Sequence, residues 1–379
     1  MALTIPPPGP FLPTLERSSC SAQKRTCNFV EPADCKFLRV LVKYLQNFRI
    51  RIHGGASMIT MTEIARLTGV SQPTVSRVLN GNPNVGQEIR ERVLACAKEH
   101  NYQCNALAKG LQGSKTMLLG VLVTDISNGF FADLAKAIEA AARKAGYTII
   151  LFNSDCDLEK ERSYLDVVSR YRVDGVLVVP VKENGEELPD FAANLDIPVV
   201  AITKPAAALD AVYVDHRSAG ALVAEHLAER GYRRFLFIGE EYDRKYLGFR
   251  EKLAERGLAE RTGSVAYESD RQLTHFLETW LRRPGGRTAV FAGNDIFALR
   301  TLSALRMLEV SVPRQAGVIG FDDTSTGRYL RPALSSVSQP IAAMAGEAVS
   351  RLLWRIDHPR AEEILDLALP AELVVRESA

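Results

Sequence analysis

The chain has 379 residues, 46% of them hydrophobic, 24% charged and 7% aromatic, with 47 Lys plus Arg against 45 Asp plus Glu. That length suits two or three domains with a large core, the composition is that of an ordinary globular protein, and charged residues interrupt every apolar run before the ~18 residues a membrane span requires. A formal charge of +2 identifies no polyanionic partner, so any basic patch must be local.

Residues 1–57 carry the proline run Pro6 to Pro8 and three of the six cysteines, Cys20, Cys27 and Cys35, with no sustained apolar period. They read as a disordered extension, or as the product of a start upstream of Met58. No basic n-region and apolar h-region of a secretory signal is present. The cysteines lack the C-x2-C spacing of a zinc site and His53 lies too far away to complete one. Scattered cysteines in a long chain fit a reducing compartment, so a cytoplasmic protein with no metal and no cofactor is expected.

Residues 58–103 read as three short helices. Thr60 and Glu63 have capping-box spacing, Ile64, Ala65 and Leu67 supply an apolar face, and Gly69 stops the helix. Ser71 caps a second helix with Pro73 in its first turn and Val75, Val78 and Leu79 at helical spacing. After the turn Asn80-Gly81-Asn82-Pro83-Asn84, Ile89, Val93 and Ala97 mark a third. Residues 104–116 read as a linker.

From residue 117 to 379 apolar runs alternate with amphipathic helices. Leu118 to Thr124, Thr148 to Asn153, Gly175 to Val181, Pro198 to Thr203, Arg234 to Gly239, Ser264 to Glu268, Ala289 to Ala292 and Gly317 to Phe321 read as buried strands. Helices are expected over Phe131 to Ala145, Leu158 to Arg170, His216 to Arg230, Tyr246 to Arg256 and Asp295 to Leu308. This grammar predicts an α/β fold of parallel sheets covered on both faces. Some 260 residues of it exceed one comfortable sheet, so two lobes with a cleft are expected, with ligand beyond the carboxyl ends of the strands.

Ile64 to Asn80 is the most informative stretch. Small Ala65 lets the second helix cross the first closely, and Gly69 permits the tight turn. Such a helix-turn-helix presents its second helix to a major groove about 12 Å wide. Gln72, Thr74, Ser76 and Arg77 are its polar exposed residues. Between Met58 and Met117 seven basic residues face four acidic ones, a local excess that suits phosphate contacts.

These residues resemble the LacI/GalR transcriptional regulators, and the resemblance runs from residue 58 to 379. Thr62 to Asn80 is similar to the family headpiece and Asn101-Tyr102 through Leu111 to its hinge. Val173-Asp174-Gly175-Val176, Gly293-Asn294-Asp295, Val318 to Asp323, Val337-Ser338-Gln339-Pro340 and Glu372 to Ser378 follow in order. The resemblance implies a cytoplasmic homodimer that binds a near-palindromic double-stranded DNA operator and represses carbohydrate or sugar-acid genes. By position, Gln72, Pro73 and Arg77 match base-reading residues, and Ser71, Thr74 and Asn80 match backbone contacts. In the hinge, Asn105 and Ala108 match the minor-groove helix and Leu111 the leucine that wedges between base pairs. Cys104 stands where the family has Pro, and Gly86 replaces a Ser cap.

The resemblance also places an effector between an N-lobe of about 117–214 and 340–366 and a C-lobe of about 215–339 and 367–379. Asn128, Phe130 and Phe131 resemble a motif whose rings pack on a sugar, although a diaromatic pair that starts a helix is more often core. Asp295 follows a strand end and suits two hydroxyl hydrogen bonds, or else caps its helix. Lys245 stands where the family has an effector-binding Arg, with Arg244 beside it, and Thr203-Lys204 replaces Asp-Arg. Lys204 and Lys245 predict a positive cleft and an anionic sugar acid or phosphorylated sugar, with a neutral sugar or nucleobase as alternatives. A two-lobed solute-binding protein is the rival reading, opposed by the helix-turn-helix. An enzyme is opposed by the absence of G-x-S-x-G, GK[ST], H-E-x-x-H and G-x-G-x-x-G motifs in their required context.

Overall fold

The computed structural model describes residues 59–79, 81–100, 102, 115–183 and 185–379. The extension 1–57, most of the linker 104–116, and the expected contacts Asn80, Asn105, Ala108 and Leu111 lie outside the described residues. The chain divides into two compact units, Met1–Gln103 and Cys104–Ala379, the first ending where the headpiece is expected to end.

The first unit contains α1 (Met61–Thr68), α2 (Gln72–Leu79) and α3 (Gln87–Glu99). The Thr60 hydroxyl accepts the Glu63 N–H at 3.2 Å, but Glu63 turns to Arg66 at 2.8 Å, so only half of the capping box forms. Gly69 adopts φ 68° and its N–H returns to the Ala65 carbonyl, a left-handed turn that glycine enters without a Cβ penalty. Ile64, Ala65, Val75, Val78, Val93 and Ala97 form the buried core. Gly86 provides no side-chain cap to α3, as the missing Ser predicts.

In the second unit, β1 (Leu118–Val123), α4 (Gly129–Lys144), β2 (Thr148–Asn153), α5 (Leu158–Arg170), β3 (Gly175–Val178), α6 (Leu188–Ala192), β4 (Val199–Thr203) and β5 (Asp210–Val214) build the N-lobe. The C-lobe follows with α7 (His216–Glu229), β6 (Arg234–Ile238), α8 (Arg244–Glu255), β7 (Thr262–Val265), α9 (Asp270–Leu281), β8 (Thr288–Ala292), α10 (Asp295–Met307), β9 (Ala316–Asp322), α11 (Ser325–Arg328) and β10 (Ser335–Ser338). The chain then recrosses through α12 (Ile341–Asp357) and β11 (Asp366–Leu369), and returns in β12 (Glu372–Val374). The sheets run β11-β5-β4-β3-β1-β2 and β12-β10-β9-β8-β6-β7, parallel except for the β10–β12 pair. Because β11 pairs with β5 through Leu369, the last crossing lies after Leu369 and not at 366. Strands β5, β10, β11 and β12 and helices α6, α9, α11 and α12 add to the elements expected from the sequence.

Several family-like motifs have structural work. Asp174 receives the Thr116 and Met117 N–H groups at 2.8 and 2.9 Å and anchors the start of β1. Arg376 binds Asp323 at 2.5 Å, the Glu377 carboxylate accepts the Ala333 N–H at 2.8 Å, and Ser378 bridges Ser335 N–H and Val318 carbonyl. The carboxyl-terminal segment thus stitches β9 to β10. Helices α7 and α8 cross backbone to backbone: a Cβ on Gly220 would overlap the Lys245 carbonyl, and one on Gly248 the Arg217 carbonyl. That contact sets where the first turn of α8 meets the cleft.

Candidate DNA-reading helix and effector cleft

On α2, Val75 and Val78 face the core, which leaves Gln72, Pro73 and Arg77 exposed on the other side. Pro73 offers no side-chain donor, so Gln72 and Arg77 carry the hydrogen-bonding capacity. The Ser71 hydroxyl lies 2.8 Å from the Thr74 hydroxyl and accepts the Thr74 N–H at 3.3 Å. Ser71 therefore caps α2 while remaining at its exposed N-terminal end, where backbone N–H groups favour phosphate.

Between the lobes lies a cleft of about 920 Å³, lined from the N-lobe by residues including Cys156, Lys182 and Glu183 and from the C-lobe by Arg217, Asp243 and Arg244. It sits beyond the carboxyl ends of the strands of both sheets, where the βα grammar places a ligand. Left-handed backbone clusters at these strand ends: Thr203 has φ 74°, Asp155 52°, Cys156 57° and Asp322 108°. For branched or acidic side chains this is strained geometry of the kind functional sites retain.

The positive cleft expected from Lys204 and Lys245 is not found. Lys204 pairs with Glu183 at 3.0 Å and Lys245 with Asp243 at 3.2 Å. Burial works against the Lys245 ammonium, yet Asp243, Glu183 and Asp322 outweigh it and hold its pKa above the usual lysine value. Its ammonium also lies 4.8 Å from the Phe321 ring centroid. The carboxylates that neutralise both lysines come from loops that are distant in sequence or lack a motif.

The aromatic pair also departs from expectation. Phe130 is buried in the N-lobe core beside Leu134 and Ile138, and Phe131 packs half-buried against the same cluster, with the rings edge to face at 5.1 Å. Asn128 is buried where the lobes meet: its carbonyl oxygen caps α4 through the Phe130 N–H at 3.1 Å, and its amide donates across the lobes to Asp322 at 3.5 Å. Asp295 is 1% exposed, and its carboxylate already accepts the Thr324 N–H and hydroxyl at 2.7 and 2.8 Å and the Ser336 hydroxyl at 2.6 Å. Its oxygens organise the β8, β9 and β10 ends instead of standing free for a polyol, while Asn294 supplies the α10 cap expected of it.

The carboxylates that line the cleft are Glu183, Glu186, Glu240 and Asp243; Asp322 lies buried where the two lobes meet. Gln339, at the crossing into α12, donates to it at 2.8 Å, and Asn128 reaches it from the N-lobe. Burial, reinforced by the Asp295 carboxylate, pushes its pKa up to about 7 against the opposing pull of Lys245. Beside it His216 is buried, its ring edge to face with Phe321 at 5.4 Å. Burial, with Lys245, Lys204 and Arg244 nearby, drives its pKa well below the usual histidine value, so the imidazole is neutral. Two buried acceptors, Glu183 Oε2 and Gln339 Oε1, have no hydrogen-bond partner among the described residues. Asp322 and Gln339 were legible within the runs Val318 to Asp323 and Val337 to Pro340; Glu183 and His216 carry no comparable local signal.

A helix-turn-helix unit joined to a two-lobed body with a polar cleft defines a ligand-controlled DNA-binding regulator. The chain belongs to the lacI family of bacterial regulatory proteins, whose profile matches residues 60–105, and a periplasmic binding protein-like domain matches residues 224–379. It is 33% identical over 334 residues to the ribose operon repressor of Halalkalibacterium halodurans, which covers 85% of this chain and 97% of that protein. It is 32% identical over 333 residues to catabolite control protein A of Priestia megaterium, covering 84% of this chain and 99% of that one. A solved periplasmic binding protein/LacI transcriptional regulator from Alkaliphilus metalliredigens, complexed with D-xylulofuranose, is 30% identical with a TM-score of 0.61, over 69% of this chain and 98% of that chain. Among the described residues no helix is long and apolar enough to cross a membrane.

Proposed function

We propose that this regulator represses carbohydrate genes as a homodimer on a near-palindromic operator, and that its effector is a small, neutral, hydroxyl-rich sugar held between the lobes. The observation that carries the effector class is the pairing of charges and acceptors in the cleft. Lys204 and Lys245 already hold carboxylates, while Glu183 Oε2 and Gln339 Oε1 are buried acceptors without donors. Sugar hydroxyls supply donors, whereas an added anion would compete with Glu183, Asp243 and Asp322 for the same cations. A cleft of about 920 Å³ accommodates a monosaccharide or disaccharide. The ribose operon repressor and the D-xylulofuranose complex among the similar proteins support the same ligand class.

In this reading Gln72 and Arg77 read bases, Ser71 and Thr74 hold the backbone, and Asn80, Asn105, Ala108 and Leu111 complete the contact. Two-fold symmetry of the protein mirrors that of the operator. Asp322, Asn128, Lys245, Arg244 and His216 surround the ligand. Ligand changes DNA affinity only through unequal binding to two lobe arrangements, and the Asn128–Asp322 bridge is a contact between the lobes that such a rearrangement would make or break. The protein acts without catalysis, in the cytoplasm where its DNA lies.

Titration calorimetry of the full chain against neutral pentoses and hexoses, their acids and their phosphates tests the effector class. Tight binding of a neutral member, weakened by Glu183→Gln, is expected; binding confined to acids or phosphates overturns it. A gel shift on the upstream regions of neighbouring genes tests the regulator, with affinity falling steeply as salt rises.

A further inference from the structure

The amino ends of the C-lobe strands, opposite the cleft, carry an unusual concentration of arginine. The segments that enter β6, β7, β8 and β9 (residues 230–233, 256–261, 282–287 and 308–315), together with Arg234, contain nine arginines, no lysine, no aspartate and two glutamates, Glu260 and Glu309. The whole chain carries only +2, so the charge is strongly polarised toward this end.

Sheet register sets these arginines in a row. Thr262 pairs with Phe235, which places Arg261 beside Arg234. Arg234 pairs with Thr288, which places Arg233 beside Arg287. Thr288 pairs with Ala316, which brings Gln315 and then Arg314 next in line. Four strands at about 4.8 Å spacing span ~14 Å. The Gly285-Gly286 turn joins the two halves, with Arg234 and Arg233 packed against it.

Helix carboxyl ends account for part of this arrangement. Buried Arg234 donates to the Trp280, Leu281 and Arg283 carbonyls at the end of α9. Arg287 donates to the Arg230, Pro313 and Arg314 carbonyls, and Arg256 and Arg282 pair with Glu225 and Glu278. Such carbonyls carry only partial charge. Arg230, Arg261, Arg283 and Arg314 are exposed and make no ion pair among the described residues. Arg234, Arg261, Arg283, Trp280 and one carboxylate, Glu260, line a recess of about 230 Å³, with both Arg234 and Arg283 against the indole and the buried indole N–H lacking an acceptor among the described residues.

We propose that this arginine-lined base of the C-lobe is a second, sequence-independent contact surface for the phosphate backbone of double-stranded DNA. Guanidinium forks match phosphate oxygens two at a time. The row of ~14 Å spans about four phosphates along the axis of one strand. An acidic protein partner fits less well, because an interface needs an apolar centre and the large aromatics here, Tyr232 and Trp280, are buried.

Anisotropy of a short random-sequence duplex with the full chain, at about 50 mM and about 200 mM salt, tests the proposal. Arg77→Glu weakens the headpiece, and the part of the remaining low-salt duplex binding that depends on the base arginines belongs to the base. Adding Arg261→Glu, Arg283→Glu and Arg314→Glu removes it by at least about tenfold. In an otherwise unchanged chain the same triple change reduces the salt slope by about 3, while the three Arg→Lys changes retain most of it. Unchanged thermal melting shows that these exposed substitutions leave the fold intact. Loss of all duplex binding in Arg77→Glu, or identical slopes for the unchanged chain and the triple variant, overturns the proposal. Competition by polyglutamate as strong as that by duplex also overturns it and assigns the surface to an acidic protein.

Discussion

Asp322→Asn tests the cleft most directly. In the folded chain burial and Asp295 raise the Asp322 pKa to about 7, whereas an unfolded aspartate titrates near ~3.9. The raised value means that the folded state binds more protons than the unfolded state between those two values. Stability contributed by this group is therefore full at low pH and is lost as pH rises through the window. Integration from about pH 5 to about pH 8 gives a loss of roughly 2.5 kcal/mol. Asparagine imitates the protonated carboxyl in shape and cannot ionise, so the variant should lack this component. The chain has two tryptophans; Trp354 lies on α12, so a Trp354→Phe background leaves Trp280 to report the C-lobe. Urea unfolding by that fluorescence across the pH range is expected to show Asp322→Asn gaining on the parent as pH rises. A constant difference between the two, or a gain as pH falls, refutes the assignment of the raised carboxyl.

Gly248→Ala pushes the α8 backbone away from Arg217 and should cost about 1–3 kcal/mol, since overpacking at a backbone contact has no flexible side chain to yield; chemical denaturation measures it, and effector affinity should fall with the displaced Lys245. Arg77→Ala should weaken operator binding by about 1–3 kcal/mol and relax preference at one base position, read by competition gel shifts. Asp210 is 2% exposed at its side chain and holds Arg351 at 2.9 Å and Arg355 at 2.8 Å. Asp210→Asn leaves two poorly compensated guanidinium groups and should destabilise the N-lobe by roughly 3–5 kcal/mol in a melting experiment.

Much of the architecture is written locally. The Thr60 cap, the Gly69 turn and the Val75/Val78 face lie within one stretch of chain, and short-range hydrogen bonding and apolar period suffice to define the helix-turn-helix and its exposed Gln72 and Arg77. The same holds for the buried strands, because a strand covered on both faces must be apolar along its length. Strand β10, Ser335–Ser338, shows the limit: its serines are buried because Ser378, Asp295 and Arg376 satisfy them from elsewhere, so no apolar run announces it.

The cleft was decided by tertiary structure. Reading Lys204 and Lys245 as surplus charge required knowing what stands beside them: Glu183 reaches Lys204 only when the loops after β3 and β4 meet, and Asp243 turns back on Lys245 through the cap of α8. Phe130 belongs to the core because α4 lies on β1, and Asp295 is occupied because Thr324 and Ser336 converge on it. The arginine row at the base likewise exists only through sheet register, which brings residues from four separated segments to one edge. Local sequence determines which elements form and which faces they bury, whereas charge pairing and hydrogen-bond satisfaction depend on groups far apart in the chain, and only the fold can join them.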